Sequence, residues 1–156
     1  QKTAYEIYQC DWSSDVCSSD LTYEIGLELK NLGFNENCYG CFSHLDNREL
    51  WTSRVYSNGV SENIAAPIFS QAFRWFEENY SYFVDVKTDT TPNEILGFDY
   101  TIKSWKFPPI YFDFFNNKIE GNIEVIKKMI EMVKKEKQRE ALIKLMDNDK
   151  DFDNNN

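Results

Sequence analysis

The sequence predicts an α+β fold, an antiparallel sheet packed by a central aromatic-rich helix and a long C-terminal helix. Three observations predict it. From Pro67 to Tyr80, residues Ile68, Phe69, Ala72, Phe73, Phe76 and Tyr80 recur at helical spacing, while Arg74, Glu77 and Glu78 fall on the other side. From Ile95 to Trp105, Phe98, Tyr100, Ile102 and Ser104 alternate with Asp99, Thr101, Lys103 and Trp105, the period of a strand with one buried face. From Glu120 to about Met146, Ile123, Ile126, Ile130 and Val133 mark a helical stripe, and Ala141, Leu142 and Leu145 mark another further on.

Taken in order, the chain opens on a segment that stands apart. Gln1 to Ile7 and Cys10 to Leu21 resemble, in one reading frame, the two constant parts of a short-read sequencing adapter, with Tyr8 and Gln9 at the barcode position. The segment is therefore expected to be foreign to the native protein and disordered, and it is set aside as a scar would be. The whole chain has 156 residues and a net charge of −9. Without the segment's one lysine and four acidic residues, 135 positions carry 16 basic and 22 acidic residues, a net charge of −6. Of four cysteines, Cys10 and Cys17 fall away, and an apparent even set reduces to Cys38 and Cys41.

Tyr23 to Leu32 reads as an amphipathic helix with Ile25, Leu29 and Leu32 on one face, Thr22 as its N-cap and Gly33 as its C-cap. Cys38 to Leu45 and Glu49 to Tyr56 read as strands, with turn chemistry at Asp46-Asn47 between them and at Asn58-Gly59 after them. Which of these strands is central stays open at this stage. Pro67 suits the first helical position, where its missing N–H costs nothing. Ser81 to Lys87 reads as a strand and Thr88 to Glu94 as a polar turn. Pro108-Pro109 is expected to break the chain before a further strand or edge segment from Ile110 to Phe115. These elements make one domain over residues 22–136. The end of the last helix, 137–146, is expected to project, and the Asn- and Asp-rich tail, 147–156, to be disordered.

A chain of this size can bury one core. No stretch approaches the roughly 20 apolar residues of a membrane-spanning helix, so no membrane partner is expected. The net negative charge argues against a general nucleic-acid binder, whose affinity comes largely from neutralising phosphates. The lysines between Lys127 and Lys144 alternate with glutamates, the pattern of a solvated helix face. Two cysteines without a disulfide framework make the cytoplasm the expected compartment.

Cys38-Tyr39-Gly40-Cys41 is the one motif with the look of chemistry. Such a pair can exchange thiol for disulfide where a helix start or a cation lowers a thiol pKa, and it can supply half of a zinc site. Here it follows a helix, its flank carries Glu36, and no second cysteine pair accompanies it. His44, the only histidine, lies three residues on, so Cys38, Cys41 and His44 with a carboxylate such as Asp46 form a candidate metal set. The plainer reading is two strand cysteines, one of them facing the core. No catalytic pair or phosphate-cradling glycine loop is present, and no cofactor or catalytic residue is expected.

Three stretches carry a resemblance: Tyr23 to Phe34, Asn63 to Tyr80 with its Pro67, Gln71-Ala72-Phe73 and Trp75-Phe76, and Glu120 to Lys135. Together they resemble small proteins of gut bacteria of the Bacteroides group and of their phages. That family brings no established activity or site residue. The expected function is a non-enzymatic phage or mobile-element accessory protein, favoured because no catalytic constellation is present, with protein contacts, to a partner or a second copy, through the C-terminal helix. The alternative expectation is a small redox or metal-binding protein using Cys38 and Cys41.

Overall fold

The structure, a computed structural model, describes residues 21–38, 40–43, 49–51, 57–58, 63–92 and 94–153, the last seven of these by their backbone alone. Residues 1–20, the Asp46-Asn47 turn, Gly59 and the outer parts of the two early strands lie outside the described residues.

Helix α1, Tyr23–Leu32, follows its sequence signals at both ends. The Thr22 hydroxyl accepts from the Ile25 N–H, and Gly33 closes the helix at φ 105°, a left-handed conformation that glycine adopts without a Cβ penalty. Ile25, Leu29 and Leu32 are buried as expected. Leu21, grouped by sequence with the segment to be set aside, is also buried, because the residue just before the cap enters the core.

Three short strands, β1 (Cys41–Phe42), β2 (Leu50–Trp51) and β3 (Ile64–Ala65), form an antiparallel sheet in the order β2-β1-β3. The central strand is thus β1. The third strand carries too short an apolar run to show a period, and the sequence does not announce it. Asn58 stands in for backbone here: its Nδ2 donates to the Phe34 carbonyl and its Oδ1 accepts from the Ala65 N–H, each at 2.8 Å.

Helix α2 spans Phe69–Tyr80, so Pro67 sits two residues before the helix and not at its first position. The start is set one step later: Ile68 is extended, its carbonyl accepts from Gln71 and Ala72, and its N–H donates to Gln71 Oε1 at 3.2 Å. Pro67 itself is buried. The core face is Phe69, Ala72, Trp75 and Phe76, while Ile68 is exposed. Trp75, absent from the predicted stripe, packs edge-on against Phe34, Phe76 and Tyr80.

A second antiparallel sheet is a meander of β4 (Phe83–Thr90), β5 (Ile95–Ser104) and β6 (Phe107–Tyr111). Strand β4 runs three residues beyond the predicted end at Lys87, because Thr88, Asp89 and Thr90 find partners in Phe98, Gly97 and Ile95. On β5 the alternation holds, with Tyr100 and Ile102 buried. Pro108-Pro109 does not break the chain; both lie within β6. N–H groups alternate sides along a strand, so one proline faces β5 and the other the outer rim. The first is accommodated by the register shift between Ile102 and Ser104, and the second costs nothing at an edge.

Helix α3, Lys118–Asp153, begins where Asn117 Oδ1 accepts from the Ile119 N–H at 2.8 Å. It continues seven residues past the predicted end at Met146, taking in most of the tail expected to be disordered. No Gly or Pro follows Gly121 to stop it. Its buried stripe is Val125, Ile126, Met129, Ile130 and Val133, wider than the predicted one. Gly121 lies so close to the Tyr100 ring that a Cβ there would stand 2.3 Å from it. The main core therefore lies between α1, α2, the inner face of the second sheet and the first half of α3.

Candidate functional site

Cys38 and Cys41 are both buried, and neither is in a disulfide. One cysteine facing the core is the strand expectation, and the structure corrects it. Strand β1 begins only at Cys41, so the three-residue spacing does not place the thiols on opposite faces of one strand. Burial, helped by the charge of Glu36, pushes the Cys38 thiol up to about 12. Its Sγ donates to the Glu36 carbonyl at 3.6 Å. The segment before it is held by α2, where Arg74 pairs with Glu36 at 2.7 Å and Gln71 Nε2 donates to the Asn37 carbonyl at 3.0 Å. A thiol so placed stays protonated at neutral pH, whereas nucleophiles and metal ligands are thiolates. His44 and Asp46 lie outside the described residues. Among the described residues no three His, Cys, Asp or Glu side chains gather as metal ligands would.

Two polar arrangements escaped the sequence because their members lie far apart along it. The buried Tyr82 hydroxyl donates to Glu136 Oε2 at 3.1 Å, and Lys106 Nζ pairs with Glu136 Oε1 at 2.6 Å. Lys106 holds the Glu136 carboxyl below its ordinary range, and burial raises the Tyr82 phenol. The Tyr100 hydroxyl donates to the Lys118 carbonyl at 3.0 Å and lies 3.0 Å from Asn122 Oδ1. Burial pushes the Tyr100 phenol up to about 12. Both are anchors: neutral phenols and a paired carboxylate tie the second sheet to α3.

A shallow groove of about 290 Å³ runs between α1 and α3, with Ile25 and Ile130 at its floor. Its rim charges neutralise one another across the seam, as in the 2.6 Å pair of Lys134 with Glu28. It offers no unpaired polar array for a small ligand.

The last core contact of α3 is the 3.1 Å bond from Lys137 Nζ to the Leu32 carbonyl. From Gln138 to Met146 every residue is exposed, and Leu142, Leu145 and Met146 each show more than 60 % of their surface. Ala141, Leu142 and Leu145 mark this stretch in the sequence, and Ile143 and Met146 widen the exposed group.

What these features define is an α+β chain with two antiparallel sheets, in which, among the described residues, the polar interior is structural and the end of the long helix carries a group of exposed apolar side chains. None of the described helices is long and apolar enough to cross a membrane. Comparison with family models, with curated proteins and with solved structures finds no match for the chain.

Proposed function

We propose that this protein is a non-enzymatic accessory protein of phage or mobile-element origin that acts through protein–protein contacts made by the end of α3. One observation carries the contact: Leu142, Ile143, Leu145 and Met146 stand exposed on a helix that has left its own core. Large apolar side chains grouped on one element mark interaction sites more often than isolated ones do. The phage or mobile-element origin rests on the resemblance of Tyr23–Phe34, Asn63–Tyr80 and Glu120–Lys135 alone. Redox or metal chemistry at Cys38 and Cys41 gains no support from a thiol that burial holds protonated.

The test is a chain ending after Lys137, which keeps the Glu136 and Lys137 contacts, alongside a full-length Leu142→Lys/Leu145→Lys variant. Both are expected to keep their circular dichroism spectra and to lose the association made by the end of α3, read as a co-purifying protein or as assembly beyond a dimer in light scattering. A co-purifying protein, or assembly beyond a dimer, that survives both changes overturns the reading.

A further inference from the structure

Among the described residues, the second sheet leaves one rim open. Its order β4-β5-β6 puts β4 at an edge, paired on one side only among the described residues. That edge is eight residues long, and its first seven residues, Phe83 to Asp89, are matched to β5 in unbroken register. Val86 lies on the same face as the buried Tyr100 opposite it, yet it is 37 % exposed. Asp85 and Lys87 flank it on the solvent face. Asp85 is bound to Lys103 at 2.8 Å, while Lys87 forms no ion pair with a described residue. An edge of this length normally carries a device against pairing, and a lone charge on the rim is the usual one. Here the charges are arranged so that one register removes the obstacle.

We infer that β4 pairs antiparallel with β4 of a second copy, about a two-fold axis through Val86. In that register Val86 meets Val86 of the second copy, and each Asp85 faces the other copy's Lys87. Val84 then faces Thr88, and Phe83 faces Asp89. Opposite charges directly across a strand pair stabilise it, and like charges destabilise it. The neighbouring registers are worse by that rule. Centring on Lys87 sets lysine on lysine and Asp85 on Asp89; centring on Asp85 sets aspartate on aspartate. Centring on Thr88 does match Lys87 with Asp89, but it spans the irregularity between Asp89 and Thr90 and leaves the start of the strand unpaired. Because the pairing sets each residue against one of the same face, the two inner faces continue and the helices of both copies lie on one side. The result is a six-stranded sheet with Val84 and Val86 covered. This interface is separate from the end of α3 and does not depend on it.

Single cysteines at Val86, Lys87 and Thr88 test the register in a full-length chain whose Cys10 and Cys17 are changed to serine, since Cys38 and Cys41 are buried. Under mild oxidation Val86→Cys is expected to give a cross-linked dimer on non-reducing gels. Lys87→Cys and Thr88→Cys are not, because their sulfurs would then lie beyond disulfide reach. Lys87→Glu is expected to lower the dimer fraction in light scattering at least several-fold at equal protein, with an unchanged circular dichroism spectrum. The dimer should persist in Leu142→Lys/Leu145→Lys. A chain that is monomeric at all concentrations, or one that cross-links best at Lys87 or Thr88, overturns the inference. So does a dimer lost with the α3 substitutions, an outcome that would instead support the α3 contact.

Discussion

Two stretches of α3 both carry large apolar side chains and meet opposite fates. In residues 118–137, Val125, Ile126, Met129 and Val133 are fully buried between α1, α2 and β5. In residues 138–146, Leu142, Ile143, Leu145 and Met146 are among the most exposed apolar residues of the chain. Helix propensity does not separate them, since leucine and methionine are strong helix formers. What separates them is whether an element lies opposite. A stripe on one helix is half an interface, and sequence period reveals the half without revealing its complement.

The contrast can be broken most sharply at Met129. Met129→Ala should cost about 2–5 kcal/mol, the usual range for truncating a fully buried side chain, read as a fall in the urea midpoint at constant slope. A loss below about 1 kcal/mol would mean that the first half is not packed as described.

Glu136 sits at the boundary, and its effect should be smaller and dependent on pH. Its carboxyl is held low chiefly by Lys106, so its contribution is present above the ordinary carboxylate range and fades as pH falls through the lowered folded value. Glu136→Gln should cost about 1 kcal/mol at pH 7, the scale of a partly exposed ion pair, and the difference from the parent should close toward pH 3. Paired denaturation curves at the two pH values measure it; a gap that widens in acid has the wrong sign for this arrangement.

The smallest stability effect belongs to the second half. Leu145→Ser should leave the denaturation midpoint within about 0.5 kcal/mol, as expected for an exposed site, while weakening any association through α3. A large loss of stability in the isolated chain would show that the end of the helix packs after all.

How much of this was legible depends on where each signal resides. Helix α1 could be read whole, because its stripe, Thr22 and Gly33 all act within one turn of the helix they define. The body of α2 was legible but its start was not: the decisive bond joins Ile68 to the Gln71 side chain, which competes with the proline rule. Trp75 was missed because a helix packed on more than one side buries a wider arc than a single stripe. The β6 prolines misled because a break and an edge strand look alike until the neighbouring strand is known. At the cysteine motif, the spacing suggested chemistry, and only the depth of Cys38 and the nearness of Glu36 spoke to it. The Tyr82–Lys106–Glu136 anchor joins three distant stretches and leaves no local trace.

The proline pair in β6 has a consequence for growth. One of the two consecutive prolines withholds a donor from the outer rim, so the sheet has one rim fit to accept a strand and one that is not. A two-sided sheet could recruit copies without end. This one, once its β4 rim is occupied by its twin, presents only proline-bearing rims to further copies, and assembly along the sheet stops at two.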